Sequence, residues 1–256
     1  MSRVIPFLLV KDGGLVKTRR FKDPTYIGDP INAIRIFNEK EVDELALLDI
    51  GASANRRGPN FELVHDVASE CFMPLAYGGG VRNLEDAKRL FSLGAEKVIL
   101  RSAAAVDLSL VSDIARFSGS QSVAVSVDIK RNRLGNLRLH APGTRMDGHA
   151  GWLNFLRDAA AAGAGEVILN SVDRDGTMEG LDTGLIGQAS RGLTTPLLAV
   201  GGVGSLADIR AGLDAGANAI GAGAFFVFHG PRRAVLITYP NFDELRTMLE
   251  GFPDGS

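Results

Sequence analysis

Pro74-Leu75-Ala76-Tyr77-Gly78-Gly79-Gly80-Val81 and Pro196-Leu197-Leu198-Ala199-Val200-Gly201-Gly202-Val203 are two versions of one phrase, 122 residues apart (196 − 74 = 122). The agreement runs outward. The same shift lays Leu84 on Leu206, Asp86 on Asp208 and Gly94-Ala95 on Gly216-Ala217, and upstream it lays Glu44 on Glu166 and Leu47 on Leu169. Each copy reads as an apolar strand, a glycine turn and a helix. A chain that repeats at half its length, with four such pairs per half, points to two half-barrels closed into one (β/α)8 barrel. A doubly wound open sheet has no reason to repeat this way.

Working out from the repeat, strands are expected at Val4–Leu9, Leu45–Ile50, Met73–Tyr77, Val98–Leu100, Val123–Asp128, Val167–Asn170, Pro196–Val200 and Ala219–Gly223. They are continuous apolar runs, the pattern of parallel strands covered on both faces. Helices fall between them, near 30–39, 60–70, 83–93, 108–116, 152–162, 181–191 and 205–215, with a last one near 242–250. Asp29 before Pro30, Asn83 and Ser205 are N-cap residues, and Gly94 and Gly216 are left-handed stops. No Pro-, Gly- or Ser-rich linker divides the chain, so residues 1–256 are expected to form a single domain.

Composition excludes several classes. The 28 Lys+Arg against 30 Asp+Glu give a net charge of −2, without the basic excess of a nucleic-acid module. At 45% apolar residues a full core can be buried. No apolar run approaches the ~18 residues that span a bilayer, and no secretory signal is read. Cys71 is the one cysteine, so neither a disulfide nor a thiolate metal site can form within the chain. A reducing, cytoplasmic setting without nucleic acid or membrane is expected. His65, His140, His149 and His229 are scattered without ligand spacing, so neither a metal nor a cofactor is expected. Trp152 opens an alanine-rich helix and reads as packing. Cys71 has no adjacent base and does not read as a nucleophile.

In such barrels chemistry sits in the loops after the strands. Gly78-Gly79-Gly80 follows strand 3 and Gly201-Gly202 follows strand 7. Bare glycines ahead of a helix let backbone N–H groups approach an anion. Arg101-Ser102 after strand 4, Asp175-Gly176 after strand 6 and Ala222-Gly223 after strand 8 complete two pseudo-symmetric candidate sites for a phosphorylated small molecule. The alternative is that these glycines only permit tight turns. Asp49 and Asp173 end strands on the same rim, where they orient a ligand or simply meet water.

The residues then become recognisable. Arg3-Val4-Ile5-Pro6 with Val10-Lys11-Asp12-Gly13, Tyr77-Gly78-Gly79-Gly80-Val81, Val127-Asp128-Ile129-Lys130-Arg131 and Ser171-Val172-Asp173-Arg174-Asp175-Gly176-Thr177 resemble the cyclase subunit of imidazole glycerol phosphate synthase, to about residue 226. The resemblance implies a barrel of histidine biosynthesis that receives ammonia from a glutaminase subunit docked at its base. It also implies cyclisation of a bisphosphorylated ribonucleotide at the top, with two aspartates as general acid and base. Asp128 matches one of them. The other is lost: Leu8-Leu9-Val10-Lys11 stands where the family reads Leu-Asp-Val-Lys. The internal pattern agrees, since Val10-Lys11 laid on Ile129-Lys130 sets Leu9 opposite Asp128. Leucine transfers no proton, and general acid–base help is worth ~10²–10⁴ in rate.

Other positions drift. Arg101 stands where the family has Asn and Ala224 where it has Ser, while Lys17, on the first long loop, matches the family's mobile-loop lysine. At the opposite end Arg3, Glu44, Lys97 and Glu166 match four charged residues that in the family ring the ammonia gate. Strands often begin with a charge in water, which is the plainer explanation of each singly. Glu96 matches a glutaminase contact.

Lys17 to Pro24, Tyr26 to Pro30, Glu70-Cys71-Phe72-Met73-Pro74-Leu75 and Ala234 to Pro240 further resemble glycosyl-amidation-associated (WbuZ-like) paralogues. These accompany a glutaminase homologue and an ATP-dependent sugar amidotransferase in making surface-polysaccharide sugars. The resulting expectation is a non-cyclising ammonia conduit for sugar amidation. The alternatives are a working cyclase of histidine biosynthesis in which Asp49 or Asp175 replaces the missing aspartate, and a sister aldose–ketose isomerase.

Overall fold

The structure, a computed structural model, describes residues 2–230 and 232–249. Eight parallel strands form the barrel: β1 (Arg3–Lys11), β2 (Leu45–Asp49), β3 (Leu75–Gly78), β4 (Lys97–Leu100), β5 (Val123–Arg131), β6 (Glu166–Ser171), β7 (Leu197–Val200) and β8 (Ala219–Ala222). Each pairs with the next, and β8 returns to β1 in the register Arg3↔Ala219 through Pro6↔Ala222. A helix follows every strand, from Pro30–Glu39 after β1 to Phe242–Leu249 after β8. The expected barrel is therefore present, with residue 250 of the last expected helix outside the described residues.

Local signals act as read. Asp29, Asn83 and Ser205 each accept the backbone N–H three residues on, satisfying a donor that the first helical turn leaves free. Gly94 and Gly216 end their helices at φ +106° and +105°, where a side chain would be strained. Inside the barrel Ile5, Ile99, Ile168 and Leu198, with Ala46 and Ala76, form an apolar cluster separate from the core between strands and helices. The Tyr239 hydroxyl donates to the Val4 carbonyl at 2.8 Å and ties the last segment to the start of β1.

Two elements depart from the expected plan. The first loop is a hairpin: Gly14–Arg19 turns back antiparallel on β1 and pairs with Lys22–Gly28. Asp12 (φ +50°) and Gly13 (φ +84°) make the tight two-residue turn that Asp-Gly favours. Lys17 thus lies on a strand, not in a loop. Secondly, β5 runs beyond Asp128 to Arg131, because Leu137–Leu139 pairs with its end.

Candidate functional site

A cavity of about 420 Å³ opens at the carboxyl ends of the strands, a size that suits a small ligand. Its wall brings together Leu9, Asp128, Gly80, Arg101, Ser102, Asp175, Gly176, Gly201, Gly202, Gly223 and Ala224, so the candidate residues share one chamber although seven strand ends supply them. Leu9 lines that wall, and the strand-1 position offers no proton donor or acceptor.

Asp128 is 4% exposed. Its Oδ2 accepts Arg101 Nη1 at 2.9 Å, and Arg101 in turn reaches Ser102 Oγ. Burial pushes the Asp128 carboxyl above its ordinary value of 3.8, and the charges of Arg101 and His140 and a hydrogen bond from Asn170 only partly oppose this. Arg101 is therefore engaged with the remaining carboxylate. Among the described residues no donor reaches the buried Oδ1 of Asn170, which lines the same cavity.

The other acidic candidates are committed elsewhere. Asp49 Oδ1 accepts the N–H groups of Gly51 and Ala52 at 2.9 and 3.0 Å, closing its own turn. Asp175 holds the hairpin: Lys17 Nζ meets its Oδ1 at 2.7 Å, Thr18 Oγ1 donates to its Oδ2 at 2.9 Å, and its carbonyl accepts the Arg20 N–H. Both line the same cavity as Asp128 with these contacts already made. Of the two readings open for Asp173, meeting water at the rim fits better: it accepts the Arg131 N–H at 2.8 Å and is not among the residues lining the cavity.

The latch has an energetic reason. Arg20 and Phe21 turn the hairpin at φ +53° and +61°, costly for residues with side chains, and Asp175 supplies the compensating contacts. Lys17 and Asp175 are 7% and 6% exposed, so losing one partner leaves the other buried. A Lys17→Met variant is expected to speed amide hydrogen exchange across residues 14–28 by about tenfold or more, with exchange in the barrel strands little changed. Equal acceleration throughout would show that Lys17 supports the whole barrel and not the hairpin.

The glycine turns do require glycine. Gly80 sits at φ +74° and Gly202 at φ +117°, and a Cβ at Gly202 would lie 2.2 Å from the Gly180 carbonyl oxygen. Backbone geometry alone accounts for both, whatever binds beside them. This supports the plainer reading and leaves the anion-binding one as a separate claim.

At the opposite end the four charged residues form a closed ring. Arg3 pairs with Glu44 and with Glu166, and Lys97 Nζ meets Glu44 at 2.7 Å and Glu166 at 3.0 Å. Burial works against the Arg3 charge, but Glu166 and Glu44 outweigh it and raise its pKa. Two cations and two anions alternate, so no charge is left buried alone. Above the ring lies the apolar interior of the barrel, a medium in which a neutral molecule is far cheaper to place than an ion.

Asn170, Phe21 and His140 are among the cavity residues that sequence reasoning did not place in the site. Cys71 is not among the residues lining the cavity; its thiol contacts the Met73 carbonyl and burial pushes its pKa up. Among the described residues no three His, Cys, Asp or Glu side chains gather as a metal site, and no helix is long and apolar enough to cross a membrane.

The family described as "Histidine biosynthesis protein" matches residues 3–230. A Pseudomonas aeruginosa protein named "Putative imidazole glycerol phosphate synthase subunit hisF2" is 50% identical over 244 residues, covering 95% of this chain and 97% of that protein. A similarly named Leptospira interrogans protein is 45% identical, over 96% of this chain and 98% of its own. The "Imidazole glycerol phosphate synthase subunit HisF" of Streptococcus sanguinis is 39% identical, over 89% and 90%. None of these three names mentions glycosyl amidation.

Proposed function

Because this chain belongs to the histidine biosynthesis protein family, we propose that it is the ammonia-receiving synthase subunit of a complex of the imidazole glycerol phosphate synthase type. The observation that carries the reading is the polarity of the barrel: a neutral ring of ion pairs at the floor, an apolar lumen, and a polar chamber around Asp128 at the mouth. Ammonia is neutral and small enough for such a lumen. A glutaminase docked on the floor supplies it, and exposed Phe72 (87%), in the segment leading into β3, offers that partner an apolar contact beside Glu96. The working place is the cytoplasm.

At the mouth the glycine turns after β3 and β7, with Ser102 and Gly223 on the neighbouring loops, present backbone N–H groups to a bisphosphorylated ligand. The unpartnered Oδ1 of Asn170 receives an N–H of the arriving ammonia beside Asp128. The test is turnover by the purified protein given the bisphosphorylated cyclase substrate and ammonium chloride. Formation of imidazole glycerol phosphate supports the reading, and a complete lack of it contradicts cyclisation.

Leu9 favours a second reading. If cyclisation has been discarded, the same conduit serves an ATP-dependent amidotransferase acting on a surface-polysaccharide sugar, and the bisphosphorylated substrate is then inert. The relatives' names favour the first reading. Both readings use the floor. Lys97→Ala is expected to retain ammonium-supported turnover while glutamine-supported turnover, with a glutaminase subunit added, falls several-fold relative to glutamine hydrolysis. Unchanged coupling would remove Lys97 from the gate.

A further inference from the structure

Adding ammonia to carbon needs more than one proton-handling group, and Leu9 leaves Asp128 without its partner across the wall. Strand register supplies another. Leu137–Leu139 pairs with β5 as Ile129↔Leu139, Lys130↔Arg138 and Arg131↔Leu137. The next rung is Asp128 and His140, and the His140 N–H donates to the Asp128 carbonyl at 2.8 Å. Residues opposite each other in an antiparallel pair project to the same face with Cβ atoms about 5 Å apart. Both side chains accordingly line the cavity.

His140 is also held. Its Nδ1 lies 3.9 Å from Asp147 Oδ1, and its ring rests 5.8 Å, centroid to centroid, from Phe21 of the hairpin. Asp147 Oδ1 accepts the Ala141 N–H at 2.9 Å, which fixes the carboxylate in its loop. The imidazole therefore has a nearby carboxylate on one side, whose charge favours imidazolium without a direct hydrogen bond, and a reaction chamber on the other.

We propose that His140, placed by its strand pairing opposite Asp128 and facing the charge of Asp147, is the second proton-transfer group of this chamber and takes the place of the carboxylate that Leu9 removes. The proposal rests on the ammonia-dependent synthase reading. As ammonia bonds to an electrophilic carbon of the acceptor, its nitrogen becomes positively charged. The neutral imidazole takes one proton from that nitrogen and becomes imidazolium. It then returns that proton to the acceptor carbonyl oxygen, giving a neutral carbinolamine; a second proton carried from the nitrogen to the same oxygen releases it as water and leaves a carbon–nitrogen double bond, so no charge is gained overall.

The surroundings suit a base. Burial lowers the His140 pKa below 6.5, and the positive charges of Lys130 and Arg101 lower it further; Asp128 and Asp147 oppose this without reversing it. The ring is neutral at pH 7 and free to accept.

The experiment measures ammonium-supported turnover of the bisphosphorylated cyclase substrate from about pH 5 to about pH 9 for wild type, His140→Gln and Asp147→Asn. His140→Gln is expected to lower kcat about 10²-fold with a smaller change in KM, and to abolish the acid limb of the profile. Asp147→Asn keeps turnover but moves that limb to lower pH, since a charge that favours imidazolium is gone. An NMR titration of the four histidines gives a second readout: the signal missing from His140→Gln should titrate below the ordinary 6.5. Wild-type turnover with an unaltered His140→Gln profile, or a His140 signal titrating above 6.5, overturns the proposal alone. No wild-type turnover overturns the synthase reading and the proposal together.

Discussion

An Asp128→Asn variant is expected to lose ammonium-supported turnover by about 10³-fold and yet to melt higher than wild type at neutral pH. The two effects share one cause. The carboxyl sits 4% exposed with a pKa raised by burial, so its charged form is held at a cost that Arg101, His140 and Asn170 do not fully offset. A raised folded pKa means that the group's stabilising protonation is complete below the unfolded value and is lost as pH rises through the folded one. At pH 7 wild type carries that cost, whereas neutral asparagine avoids it and still accepts the Arg101 N–H. The difference in melting temperature should close as pH falls toward the ordinary carboxyl value of 3.8. Calorimetry at neutral and acid pH, beside turnover, checks both halves. A variant that melts lower at pH 7 would make Asp128 a structural anchor.

Glu166→Ala should produce the largest loss of stability. Glu166 is 3% exposed and accepts from both cations of the floor ring, Arg3 and Lys97. Removing it leaves two positive charges sharing Glu44. Breaking a buried pair costs about 3–5 kcal/mol, and the lower end applies because Arg3 is a third exposed and can turn toward water. At about 2–4 °C per kcal/mol for a chain of this size, the melting temperature falls by about 6–12 °C. Adding Arg3→Met should recover part of that loss, since one orphaned charge is then removed. A shift below about 2 °C in Glu166→Ala would mean that the ring is a solvated collar and not a buried network.

The eight strands were legible because burial on both faces leaves each as an unbroken apolar run, and three helices announced their starts through Asp29, Asn83 and Ser205. The floor ring was legible because a charged residue opens or directly precedes four separated strands. Leu9 stood out by the internal register that sets it opposite Asp128. The hairpin was half legible. Asp12-Gly13 is a turn written in the sequence, but Arg20-Phe21 carries no turn residue and is held left-handed by contacts with Asp175, more than 150 positions away. That distance also hides the contacts by which Asp175 latches the hairpin while it lines the cavity. His140 was invisible for a related reason. Its value lies in the strand register with β5 and in the reach of Asp147, and neither appears in the spacing of histidines along the chain.

Nothing in the barrel tests its central claim more directly than the origin of the nitrogen in the product. Wild-type protein, mixed with the glutaminase subunit of an imidazole glycerol phosphate synthase and the bisphosphorylated substrate, would receive glutamine carrying heavy nitrogen in its amide, with excess unlabelled ammonium in the buffer. Passage through the floor ring and apolar lumen predicts a product in which the heavy label predominates. A product whose nitrogen matches the buffer ammonium would show that ammonia reaches Asp128 from the open mouth, and the floor would then be no gate.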